Sequence, residues 1–150
     1  MSLEAVVMEH MKIAMKAKDE AGLRGLRAIK AEIIKAKTDP GANGILTEEG
    51  ELKILQKLVK SRKDSLEIYR QQSRPDLAIK ESEEIAVIEK FLPQQLTEEE
   101  IHDAIGKIIA DLGADGPQDM GKVMGAASKQ LAGKADGKTI AAVVKELLNK

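Results

Sequence analysis

Apolar residues recur every three or four positions along most of the chain, and no segment alternates with a period of two, so the pattern predicts helices and no strands. From Leu3 to about Lys18, Val6, Val7, Met11, Ala14 and Met15 fall on one helical face. Asp19 and Glu20 open a second helix with the stripe Leu23, Leu26, Ile29, Ile33 and Ile34, and the run from Thr38 to Gly44, with Pro40 and Gly41, reads as a loop. Thr47 followed by Glu48 and Glu49 starts a third, long helix to about Gln72, seamed by Leu52, Leu55, Leu58, Val59, Arg62, Leu66 and Tyr69. Ser73, Arg74 and Pro75 break it, and Pro75 suits the first turn of a fourth helix carrying Leu77, Ile85, Ile88, Phe91 and Leu92.

After the connector Pro93–Leu96, Thr97 and Glu100 have the spacing of a capping box, which starts a fifth helix over Ile101, Ile105, Ile108 and Leu112. Gly113 ends it, and Asp115, Gly116 and Pro117 form a turn. A sixth helix holds Met120, Val123, Met124, Ala127 and Leu131 and stops at Gly133. A seventh, starting at Asp136 or at Lys138/Thr139, buries Ile140, Val143, Val144, Leu147 and Leu148. The expected fold is all-α, with an N-terminal four-helix domain over 1–92 and a three-helix tail domain over 96–150.

Composition agrees. Charged residues make up 33% of the 150, aromatics are limited to Tyr69 and Phe91, and the apolar residues are mostly aliphatic, as helices favour. Absence of cysteine excludes disulfides, thiolate metal sites and a cysteine nucleophile, and suits a reducing compartment. No apolar run approaches the ~20 residues that span a bilayer. No signal peptide is expected, and the early Glu4 and Glu9 argue against a transit peptide. The location expected is cytoplasmic, with no membrane partner.

The residues offer little catalytic chemistry. His10 and His102 each sit beside an acid, but no HExxH or paired-histidine spacing exists and both read as helix surface. No serine stands in a G-x-S-x-G elbow. No strand precedes Gly121, Gly125 or Gly133, which excludes a P-loop or dinucleotide cradle on context. The methionines, at helical spacing, read as core. No catalytic residue, metal ligand or cofactor is expected.

Charge is more informative. The net charge is −1, yet residues 1–74 hold 15 basic and 11 acidic side chains, whereas 75–150 hold 9 and 14. The sign returns to positive over 121–150, with 6 lysines against 2 acids. Two basic clusters stand out: Lys53, Lys57, Lys60, Arg62, Lys63, Arg70 and Arg74 around the third helix, and Lys122, Lys129, Lys134 and Lys138 interleaved with Gly121, Gly125, Gly133 and Gly137. In the second, glycines would let a ligand approach the backbone, helix starts offer free amides, and lysines hold a polyanion. The competing account is that Gly121 and Gly125 permit tight helix packing while Gly133 and Gly137 are caps. Scarce aromatics disfavour single-strand stacking; shape and phosphate contacts to a folded RNA stay open, beside the plainer account of a solvated helical surface.

Three segments carry a resemblance: MKIAMKAKD (11–19), SRPDLAIKESEEIAVIEKFLPQQLTEEEI (73–101) and MGKVMGAASKQLAGKADGKTIAAVVKELL (120–148). With them the chain resembles the YqeY family along essentially its whole length. Its C-terminal module is similar to the tail domain of GatB, a subunit of the glutamine-dependent tRNA amidotransferase, in which the tail contacts tRNA. The resemblance implies that Gly121, Lys122, Gly125, Lys129, Lys134, Asp136 and Lys138 face RNA, with tRNA as partner, alone or with aminoacyl-tRNA or amidotransferase machinery; DNA is not expected. It implies a family label of carbon–nitrogen ligase with glutamine as amido-N donor, but GatB's kinase-like cradle and the separate amidase have no counterpart in these residues. Three functions follow in order: a non-catalytic tRNA-docking accessory protein, a component of glutamine-dependent amide transfer, and a protein-interaction module built on the long third helix.

Overall fold

The computed structural model describes residues 2–149, and all regular elements in them are helical. The chain divides after Leu92 into two compact units. The first holds α1 (Leu3–Lys16), α2 (Glu20–Thr38), α3 (Glu48–Gln71) and α4 (Pro75–Glu89). The second holds α5 (Glu98–Leu112), a short 3-10 turn (Pro117–Asp119), α6 (Met120–Gln130) and α7 (Gly137–Leu148).

Local chemistry sets the helix boundaries. Side chains of Ser2, Asp19, Thr47, Thr97 and Asp136 accept amide hydrogens at the starts of α1, α2, α3, α5 and α7. The Thr97–Glu100 box is formed in both directions, and Gly113 takes the left-handed conformation (φ 65°) that closes α5. The first helix ends at Lys16 rather than Lys18. Lys18 is itself left-handed (φ 56°), which brings the Asp19 amide to the Ala14 carbonyl at 2.9 Å and frees the Asp19 side chain to cap α2. The fourth helix ends at Glu89, so Phe91 and Leu92 lie in the turn beyond it, where they still pack on the first core.

In the first unit α4 packs on both α2 and α3, and α1 packs on α2. Val7, Leu26, Ile29, Ile33, Leu55 and Ile88 form the centre of the core. Met15 and Ile34, expected in the stripes, are 53% and 48% exposed, because each lies one residue past the buried Ala14 and Ile33, at the edge of its helix's apolar face. Gly25 lets α2 and α4 approach: a Cβ there would stand 2.7 Å from Val87 Cγ1 and 2.8 Å from Val87 Cβ. Valine is stiff at χ1 in a helix and cannot swing aside. Gly25→Ala is therefore expected to cost about 1–2 kcal/mol by overpacking, read as a lower urea midpoint for the amides of this unit.

A charged layer crosses the same unit. Arg24 of α2 donates to Glu83 (3.0 Å) and lies 3.5 Å from Glu84, while Arg62 of α3 reaches Glu84 at 3.4 Å and the Leu58 carbonyl at 3.2 Å. Burial, reinforced by the neighbouring Glu84 charge, raises the Glu81 carboxyl above its usual range. Arg62, read from sequence as part of the α3 seam, does occupy it, as a half-buried cation held by an acid of α4.

In the second unit α5, α6 and α7 pack on one another around Ile105, Val123, Ala127, Ile140 and Val144. The connector belongs to this unit from Pro93 onward. Leu96 N–H donates to the Lys134 carbonyl at 2.9 Å, and Gln95 Nε2 donates to the Gly133 carbonyl at 2.6 Å, so both connector residues are tied to the α6–α7 loop.

Candidate nucleic-acid interface

Val123, Ala127 and Leu131 turn one side of α6 into the core. On a helical projection Gly121, Lys122, Gly125 and Lys129 share about 100° of arc on the opposite side, and all four are exposed. A Cβ added at Gly121 or Gly125 would meet nothing within 4 Å. Tight helix packing is therefore not what these two glycines serve: they leave a bare strip of backbone beside Lys122 and Lys129. A glycine inside a helix costs up to about 1 kcal/mol relative to alanine. Gly121→Ala and Gly125→Ala should each raise stability by about 0.5–1 kcal/mol, visible as a higher melting temperature, while covering the strip with methyl groups.

The helix starts add a second feature. Each of α1 to α5 carries an acid and no basic residue in its first turn, as the helix dipole favours. The first turns of α6 and α7 carry no acid and instead hold Lys122 and Lys138. The unfavourable charge stands at both starts, each just after an aspartate at the cap position (Asp119 and Asp136), within a stretch, 121–150, that is basic overall. Lys134 lies between them in the loop whose carbonyls are held by Gln95 and Leu96.

The lysines are also unneutralised. Among the described residues Lys122, Lys129, Lys134 and Lys138 are exposed and make no ion pair. The N-terminal basic cluster differs: Lys53 pairs with Glu49 (3.2 Å), Arg62 with Glu84, Lys63 with Glu89 (3.4 Å) and Arg74 with Asp76 (3.0 Å). Most of its charge is compensated within the unit.

The structure thus puts four candidates (Gly121, Lys122, Gly125 and Lys129) on one face of α6, Lys134 in the following loop, and Lys138 in the first turn of α7. Asp136 has a structural task, its Oδ1 accepting from Thr139 N–H at 2.7 Å. Gly133 is left-handed (φ 77°) and buried, which accounts for glycine in that turn. Lys145 is exposed two turns beyond Lys138 on the same outer side of α7, a placement that its i, i+7 spacing gives.

The histidines lie elsewhere. His10 makes a 2.9 Å hydrogen bond through Nδ1 with the Val6 carbonyl and an edge contact with Phe91, centroids 5.1 Å apart. His102 Nε2 is 3.6 Å from Glu146, linking α5 to α7. Among the described residues no three His, Asp or Glu side chains converge as a metal site would require.

Residues 4–148 match the family described as Yqey-like protein. The chain belongs to the YqeY family. It is 30% identical over 141 residues to altered inheritance of mitochondria protein 41, mitochondrial, of Pyrenophora tritici-repentis, covering 92% of this chain and 76% of that protein. The protein of the same name from Clavispora lusitaniae is 33% identical over 123 residues, 81% of this chain and 69% of its own length. An uncharacterised protein of Schizosaccharomyces pombe is 30% identical over 93 residues, 62% of this chain and 74% of that protein. The two named relatives carry "mitochondrial" in their names. Among the described residues of this YqeY protein, no helix is long and apolar enough to cross a membrane.

Proposed function

We propose that this YqeY protein is a non-catalytic accessory factor that docks a tRNA, or a tRNA–enzyme complex, through its C-terminal unit. The two units act as two domains, 1–92 and 96–150, the second carrying the RNA face and the compartment being the cytoplasm. The observation that carries the reading is the unneutralised face of α6, where Gly121 and Gly125, with open space above them, lie beside Lys122 and Lys129. Such a face suits a phosphate backbone approached closely and held by charge. Lys138 at the start of α7 extends it. With one tyrosine, one phenylalanine and no tryptophan in the chain, shape and phosphate contacts carry recognition rather than base stacking across this face.

Equilibrium binding of the whole chain to total tRNA, competed by another structured RNA across a salt series, tests this. Four phosphate contacts give a slope of about −3 in log affinity against log salt, with tRNA preferred over the competitor. Equally weak affinity for every RNA, or none, would overturn the reading.

A further inference from the structure

A separate cavity of about 390 Å³ opens where α3 turns into α4, a volume in the range of small-molecule sites. Its lining includes Tyr69, Arg70, Ser73, Arg74, Ile79 and Ser82, thus two guanidiniums and no carboxylate. The turn that shapes it is built on an unusual residue: Ser73 is left-handed (φ 55°), a region that non-glycine residues avoid, and this lets Arg74 N–H close on the Tyr69 carbonyl at 2.8 Å. Arg74 is fixed in a two-bond pairing with Asp76 (3.1 and 3.0 Å), which also holds its guanidinium above the ordinary range. Arg70 has no ion pair among the described residues and is exposed. Ile79 on the rim is 58% exposed.

We infer that this cavity binds a nucleoside monophosphate, with the base against Tyr69 and Ile79 and the phosphate on Arg70. A guanidinium beside an aromatic ring meets both halves of such a ligand: charge-assisted hydrogen bonds for the phosphate and a π-face for the base. The Ser73 and Ser82 hydroxyls supply donors and acceptors for the sugar or the base edge. An acidic peptide would satisfy Arg70 equally well. Helix-in-groove binding, however, wants a series of apolar anchors one turn apart, and this open cavity of about 390 Å³ is sized for a small molecule rather than for such a series. The site lies in the first unit and does not depend on the RNA reading of the second.

Tyr69 is the single tyrosine of the chain, so its ring signals in an NMR spectrum report on this cavity alone. Titration of the labelled 150-residue chain with AMP and with UMP should shift those signals saturably, with dissociation constants of about 1 mM or tighter. Arg70→Glu, at an exposed position and read on the Tyr69 ring, and Tyr69→Leu, which keeps the wall apolar and is read on the backbone amides of Ser73 and Arg74, should each weaken binding by about tenfold or more, with the remaining amide spectrum unchanged. No saturable shift by either nucleotide would overturn the assignment. So would equal shifts from inorganic phosphate alone, tighter binding of a glutamate-rich peptide, or full affinity in Arg70→Glu.

Discussion

The K122E/K134E/K138E variant is expected to lose tRNA affinity by at least about 100-fold at physiological salt while its helical circular dichroism stays unchanged. Each phosphate neutralised by a lysine contributes up to about 0.9 to the salt slope, which at 0.15 M corresponds to about fivefold in affinity. Three contacts give about two orders of magnitude, and reversal adds repulsion. The slope itself should fall by two to three, a change that loss of fold would not produce so selectively. Stability should move the other way. Lys122 and Lys138 sit in first turns that hold no acid, where glutamate is favoured by about 0.3–1 kcal/mol. A variant that melts higher and binds worse would separate an interface from a packing role in one experiment. Undiminished affinity would remove this face from the interface.

Glu84→Ala is expected to destabilise the first unit by about 2 kcal/mol, below the range for a fully buried pair because the partners are half-buried. Glu84 is 17% exposed and faces two cations, Arg62 (18% exposed) and Arg24. Arg62 Nε and Arg24 Nη1 are buried without hydrogen-bond partners among the described residues. Removing the acid leaves both guanidiniums partly desolvated with less to compensate them, a penalty larger than the pair's net contribution. Because two units need not unfold together, the measurement is hydrogen exchange on amides of α2, α3 and α4. A combined replacement of Arg24, Arg62 and Glu84 by apolar residues of similar volume should cost much less than Glu84→Ala alone. If the two cost the same, the layer contributes through packing rather than charge.

These two sites differ in how visible they were beforehand. Signals confined to a few neighbouring residues could be read directly: the Thr97–Glu100 box, the Gly113 stop and Pro75 in a first turn all stand in the structure where their spacing placed them. The Arg62–Glu84 pair spans 22 positions, and no local pattern distinguishes a seam arginine with a partner from one that snorkels to solvent. The end of α4 is obscured by the apolar Phe91 and Leu92 beyond it, and that of α1 by a left-handed Lys18 that has no compositional mark. Glycine shows the limit most clearly. Gly25 and Gly125 both interrupt helices rich in aliphatic residues, yet one lies against Val87 and the other beneath open space. Which glycine is a packing device and which is a bare surface depends on a neighbour 62 residues away in the first case and on none in the second. The residues proposed to meet RNA could be listed from the sequence, while their division into an α6 face, a loop and an α7 start could not.

The glycines and lysines that open α6 and α7 also say where heat resistance could be gained. A library of this YqeY protein selected for survival at high temperature, with no demand for binding, should drift toward alanine at 121 and 125 and toward acids at 122 and 138. Those changes remove internal helix penalties without disturbing a buried atom. Variants that persist under such selection would be sturdier and smoother in charge, and the surface best suited to meeting an RNA would be the first thing they erased.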